Sequence, residues 1–251
     1  MKSKEDRYKN EEDFHNDRFK DEDTRKLLDK YYVITDEVDR YIDSLIEPIC
    51  KNKKLLDYGC SLGEESFPWA QKGAIVTGID ISPEAIKKAK IDANIKNLNI
   101  DFLVDNAEHT SFSDNSFDLI IGRAILHHLD LKSSYAELSR LIKNNGKVVF
   151  LEPLGHNPLI NLYRKLTPNL RTEDEHPLTM SDLSLLHEYF NSIDLKYFNF
   201  FTIAAVPFRN YFFFSKLYNL LSKLDNKLLK YLPFSKKYFW MVVISLSSPK
   251  I

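Results

Sequence analysis

Two apolar rhythms alternate along this chain. Short runs of Leu, Ile, Val and Phe recur at Leu55 to Asp57, Ile75 to Ile79, Ile100 to Val104, Phe117 to Ile121 and Lys147 to Leu151, and each reads as a buried strand. Between them apolar residues step by three or four over Glu64 to Gln71, after Pro83 and over Ser133 to Leu141, which predicts helices. Val33, Val38, Tyr41, Ile42, Leu45, Ile46 and Ile49 give Tyr31 to Ile49 the same helical spacing. Asn144-Asn145-Gly146 predicts a turn into the fifth strand. Beyond it stand an expected helix, Ser181 to Phe190, and two late strands, Leu195 to Phe200 and Trp240 to Leu246. Such alternation implies an α/β fold, a parallel sheet with helices on both faces.

Chemistry collects at the ends of the strands. The stretch LLDYGCSLG, Leu55 to Gly63, runs from strand into helix and holds two of the seven glycines. Glycine lets backbone turn sharply and pass close to a ligand. A dinucleotide loop needs G-x-G-x-x-G and a phosphate loop G-x-x-x-x-G-K-[ST]; neither is present. Asp80 closes the second strand at about the distance from the glycines at which an acid accepts hydrogen bonds from ribose hydroxyls. Ser82-Pro83-Glu84 then starts the next helix with a capping hydroxyl, a proline and an early acid. Asp105-Asn106-Ala107 follows the third strand, where ligands of open α/β sheets gather. Either of Asp57 and Asp80 alone reads equally well as a strand terminator; with the glycines, that reading becomes the weaker one.

The pattern Asp57-x-Gly59-x-Ser61-x-Gly63 resembles motif I of the class I S-adenosylmethionine-dependent methyltransferases, with Ser61 at the usual middle glycine. SFDLIIGRAILHHL is similar to that family's fourth-strand motif, and the resemblance runs from about Leu55 to Leu151. It implies a Rossmann-like, seven-stranded, mostly parallel sheet with helical cap insertions. It implies S-adenosylmethionine as cofactor, leaving as S-adenosylhomocysteine, held by Asp57, Gly59, Cys60, Ser61, Gly63, Asp80, Ile81, Asp105, Asn106, Ala107 and Arg123. In that family the position of Asp105 reads the exocyclic amine of adenine. The broad group of quinone and sterol methyltransferases is the most similar, but the proline-rich and phenylalanine-rich caps depart from it, so its acceptors are not carried over.

Composition changes this picture little. The 251 residues, 43% hydrophobic, suit one domain with a sizeable core. A net charge of −1 gives no general attraction to nucleic acid, and none is expected as partner. Two cysteines, Cys50 and Cys60, without metal-ligand spacing fit a reduced, cytoplasmic setting, and Cys60 reads as a small residue beside the cofactor rather than a nucleophile. No apolar run reaches the roughly 20 residues needed to span a bilayer. No metal is expected, because the histidines form no ligand set.

Residues 1–30 read as a charged arm, either a solvated tail or a helical lid anchored by Phe14 and Phe19 over the cofactor. Residues 31–251 form the catalytic domain, interrupted by insertions at 152–178 and 201–238. The first carries Pro153, Pro158, Pro168 and Pro177, a short helix from Leu159 to Leu166, and Arg171, Glu175 and His176 as substrate contacts. In the second, Phe214, Leu217, Leu221, Leu224, Leu228 and Tyr231 recur at helical steps among lysines. That helix reads first as a cap on the sheet; the alternative is peripheral attachment to anionic lipid through 211–237.

The expected activity is transfer of the methyl group to a small-molecule or lipid-like acceptor by in-line displacement, in which alignment supplies much of the rate. A non-catalytic or membrane-associated S-adenosylmethionine-binding scaffold is the alternative. The candidate bases are His128, Glu152 and His156. His127 adjoins His128, and because neighbouring helical residues point about 100° apart, only one of the two faces a substrate; His128 is preferred.

Overall fold

The computed structural model of the protein describes residues 4–18, 34–167 and 176–250. Strands β1 (Lys54–Tyr58), β2 (Ile75–Asp80), β3 (Asp101–Val104), β4 (Phe117–Arg123), β5 (Ile142–Pro153), β6 (Phe190–Phe198) and β7 (Met241–Pro249) form one sheet in the order β3-β2-β1-β4-β5-β7-β6. The first five strands are parallel; β7 enters antiparallel between β5 and β6. The seven-stranded, mostly parallel sheet expected from the sequence is therefore present.

Period-two alternation divides each central strand between two apolar layers. Leu56, Tyr58, Ile120, Val148 and Phe150 enter one buried cluster, while Leu55, Leu119, Ile121, Val149 and Leu151 enter another. Both faces are covered, which is why these strands read as near-continuous apolar runs. The covering helices are α1 (Lys4–Arg18), α2 (Asp36–Ile46), α3 (Ser66–Gln71), α4 (Pro83–Ile95), α5 (Leu131–Leu141), α6 (Pro158–Leu166), α7 (Met180–Leu185) and α8 (Phe214–Tyr231). Caps fix several starts: Ser82 accepts from the Ala85 amide, Asp130 from Ser133, and Thr179 forms a reciprocal box with Asp182.

Several boundaries differ from expectation. Asn144-Asn145-Gly146 lies inside β5, where the register jumps from Phe117↔Ile142 to Leu119↔Lys147, so the predicted turn is an irregularity within the strand. Helix α3 starts at Ser66 rather than Glu64, because the Gly63 amide first bonds to the Cys60 carbonyl in a turn. Helix α2 ends at Ile46 and tightens into a 3₁₀ turn, Glu47–Ile49. The segment expected as helix to Phe190 ends by Glu188, and β6 already begins at Phe190.

Both insertions are tied to the sheet. Leu154 bridges Leu178, and the Gly155 amide donates to the Leu178 carbonyl at 2.9 Å, closing the first insertion at its root. Arg171 and Glu175 lie outside the described residues. The second insertion holds a 3₁₀ segment, Thr202–Phe208, then α8, then a 3₁₀ segment, Pro233–Tyr238. Asp225 of α8 is buried and accepts from the amides of Phe200 and Phe201 and the Thr202 hydroxyl, which pins the helix to the chain leaving β6. Ile160 of α6 packs with Ile203, Val206 and Tyr218, so the two insertions share a small core.

Candidate functional site

The carboxyl ends of β1, β2 and β4 open onto a crevice of about 870 Å³. Its floor is the turn after β1, where Gly59, Ser61 and Gly63 have φ of 79°, 49° and 80°. The left-handed region favours glycine, and a Cβ on Gly59 would also meet the Ile125 side chain at 2.7 Å. Ser61, the non-glycine exception, has its amide held by Asp80 Oδ2 at 2.9 Å, while Asp80 Oδ1 accepts from the Ser82 amide at 2.9 Å. Asp80 thus joins the tips of β1 and β2. Each of its oxygens keeps a further lone pair for a hydroxyl donor.

Asp57, at 2% exposure, accepts from the Ser66 hydroxyl at 2.6 Å. Burial pushes its carboxyl up to about 7, against the pull of that hydroxyl. Burial likewise pushes the Cys60 thiol well up, with Asp57 and Asp80 adding to it, which keeps the sulfur protonated and poorly nucleophilic. After β3, Asp105 folds back on its own loop: Oδ1 accepts from the Asn106 amide at 2.8 Å and Oδ2 from the amide and hydroxyl of Ser111 at 2.9 Å. Ile81, Asp105, Asn106 and Ala107 line the crevice.

The opposite wall is the turn after β4. Ala124 takes φ 54°, and Glu152 Oε1 accepts from the amides of Ile125 and Leu126 at 2.9 and 2.8 Å. Glu152 Oε2 lies 2.8 Å from His127 Nδ1. Leu126–His128 is a 3₁₀ turn rather than an α-helix, and it sends His127 into the protein and His128 onto the crevice. Of the three candidate bases, His128 alone lines the crevice. Glu152 is fully buried beneath the turn that carries His128, and His156 is half-buried outside the lining.

Several residues at the site carried no recognisable signal in the sequence. Asp39 and Glu65 line the crevice and pair with Arg123, Glu65 Oε1 to Arg123 Nε at 2.8 Å. Glu108, fully buried, accepts from the Asp130 amide at 2.8 Å, from the Tyr8 hydroxyl at 2.8 Å and from Arg7. Arg7 also reaches the His128 carbonyl at 3.3 Å, and the Ser82 hydroxyl donates to Asn16. These contacts lay α1 along the crevice, which Arg7 and Tyr8 help to line. Their partners stand about a hundred positions apart, beyond the reach of any local spacing. Of the expected arm anchors, Phe19 and the Phe14 side chain lie outside the described residues.

Residues 56–150 match a family model described as a methyltransferase domain. A ubiquinone biosynthesis O-methyltransferase of Pelagibacter ubique is 39% identical over 106 residues, 42% of this chain and 43% of that protein. Aklanonic acid methyltransferase DauC of a Streptomyces species is 32% identical over 120 residues, 46% of this chain and 54% of its own. Over residues 56–150 the chain is similar to the class I methyltransferase domains. The chain spans about half the length of the curated relatives it matches. The same fold is seen in phosphoethanolamine N-methyltransferase 2 of Haemonchus contortus, with TM-score 0.63, 17% identity, and coverage of 89% of this chain and 57% of that one. It is seen too in the [4+2]-cyclase SpnF, with TM-score 0.57, 18% identity and coverage of 84% and 80%. Methyltransferase domains of this class use S-adenosylmethionine, and the residues here fit it: a left-handed glycine turn at the first strand tip, a carboxylate with spare lone pairs at the second, and a loop beside the third.

Proposed function

We propose that the protein transfers the methyl group of S-adenosylmethionine to a small-molecule or lipid-like acceptor by in-line displacement. The observation that carries this reading is the placement of Asp80 and His128 on opposite sides of one crevice, with the glycine turn between. When bound, the sulfonium supplies an activated methyl group and a neutral thioether leaving group. Asp80 would accept the ribose hydroxyls, held still by the amides of Ser61 and Ser82. The turn from Gly59 to Gly63 offers close backbone approach, and Ile81 and Ala107 would supply apolar contacts to the adenine. Arg123, steadied by Asp39 and Glu65, would help to hold the cofactor. His128 takes the proton of an acceptor hydroxyl on its imidazole, and Glu152 positions that ring by fixing the turn beneath it. The arm helix α1 acts as a lid, keeping water from the crevice through Arg7 and Tyr8. The names of the relatives, an O-methyltransferase of ubiquinone biosynthesis and an aklanonic acid methyltransferase, support a small-molecule acceptor.

The test is untargeted mass spectrometry of cell extracts incubated with the protein and methyl-deuterated S-adenosylmethionine. A compound gaining one deuterated methyl identifies both activity and acceptor. Calorimetric binding of the cofactor with no labelled product in aqueous or organic fractions favours a scaffold that binds without turnover. Absence of binding overturns the reading.

A further inference from the structure

Among the described residues, the two insertions carry most of the exposed large hydrophobic side chains. Among the described residues, thirteen of nineteen exposed large hydrophobics lie in α6 or between 201 and 238, and Phe212 is 98% exposed and Phe234 68% exposed. They form an ordered pattern. Helix α8, roughly 27 Å long, turns Tyr218 and Asp225 inward and leaves Leu220, Leu224 and Tyr231 on its outer side. Helix α6 leaves Leu159, Leu162 and Leu166 exposed while Ile160 enters the core it shares with the second insertion. Exposed single hydrophobics are ordinary, but this many on two joined elements are not.

Charge selects what covers this face. From Phe208 to Tyr238 there are seven basic residues and one acid, Asp225, which is buried against the chain after β6. Lys216, Lys223, Lys227 and Lys230 are exposed along α8 beside the leucines. The whole chain carries −1, so the cap is a positive pole on an otherwise acidic molecule. Two copies meeting through this face would set lysine against lysine across a twofold axis. Apolar side chains amid solvent-facing lysines match a surface with anionic headgroups above an apolar interior, into which aromatics insert while lysines stay at headgroup level. No helix among the described residues is long and apolar enough to cross a membrane.

We propose that the faces of α6 and α8, with Phe212 and Phe234, are a docking surface for an anionic lipid bilayer. The surface is joined to the crevice. The Ser222 hydroxyl donates to Glu37, the Tyr218 hydroxyl reaches the Ile34 carbonyl at 3.3 Å, and the next residues, Thr35 and Asp39, line the crevice. Docking therefore bears on one wall of the crevice.

Co-sedimentation of the full chain with vesicles tests this without reference to catalysis, so its failure is separate from failure of methyl transfer. The protein is expected to pellet with equimolar phosphatidylglycerol and phosphatidylcholine and not with phosphatidylcholine alone. Lys223→Glu with Lys227→Glu is expected to lower partitioning at least about tenfold, since each lysine near an anionic surface is worth roughly fivefold in affinity. Phe212→Ser with Phe234→Ser is expected to lower it severalfold at the same salt concentration, with unchanged circular dichroism in both variants. No pelleting with anionic vesicles overturns the proposal. So does binding that neither variant alters, a dimer that Leu220→Ser and Leu224→Ser split into monomers, or equal binding to duplex DNA that only the lysine variant weakens.

Discussion

The turn after β1 and the turn after β4 each rest on a buried carboxylate, and the two are satisfied very differently. Glu152 receives two amides and an imidazole nitrogen, all within 2.9 Å. Asp57 receives one hydroxyl, from Ser66, and is pushed up to about 7. A carboxylate whose acceptors are taken by its own protein is scaffold: it fixes Ile125, Leu126 and His127 so that His128 faces the crevice. One left with acceptor capacity beside a crevice is costly in the free protein and is relieved by a ligand that brings donors. The comparison separates a carboxylate spent on the fold from one that keeps acceptor capacity at the crevice.

The sharpest way to break it is Glu152→Ala, which strands two amides and an imidazole in a dry interior. The expected loss is about 3–5 kcal/mol in urea unfolding; an alanine variant as stable as the parent would remove the scaffold role. Asp80→Ala should weaken S-adenosylmethionine binding about a hundredfold by calorimetry, the scale of two lost bonds to a charged acceptor. His128→Ala should lower kcat by about a hundredfold and leave cofactor affinity intact; parallel changes in both would make it a binding residue instead.

Asp57→Asn sharpens the comparison through pH. The native carboxyl titrates at about 7 and the unfolded one near 4, so the native state holds the extra proton between these values. Stability is therefore fullest below about 4 and falls as pH rises through 7. The asparagine variant should lose this slope and exceed the parent at pH ~8 by up to a few kcal/mol, seen as a raised urea midpoint there and little change at pH ~5. The smallest effect is expected of Ala124→Gly. Relief of the left-handed backbone at φ 54° should stabilise by up to about 1 kcal/mol, seen in thermal unfolding.

The sheet and the first strand tips were legible because their signals are local. Strand ends, glycines and following acids sit within a few residues of one another, from Asp57 to Gly63 and from Asp80 to Glu84. The early start of β6 was hidden because it is an edge strand whose burial pattern has no clean period of two: Phe190 is buried, Asn191 and Ser192 are exposed, and Tyr197 and Phe198 are both buried. Glu152 was legible as an acid at a strand end, but its partners Ile125 to His127 were not, since they come from the turn after another strand. Glu108 was wholly hidden, because Arg7 and Tyr8 meet it only after α1 is laid along the sheet.

Placing β7 between β5 and β6 has a bearing on biosynthesis. The ribosome makes β7 after both of its flanking strands, so β5 and β6 emerge with open rims and cannot pair through it until Met241 to Pro249 has left the exit tunnel. Until then the nascent chain carries apolar β5 residues such as Val148 and Phe150 without the neighbour that finally seals them. That interval leaves a sheet edge open to non-native pairing.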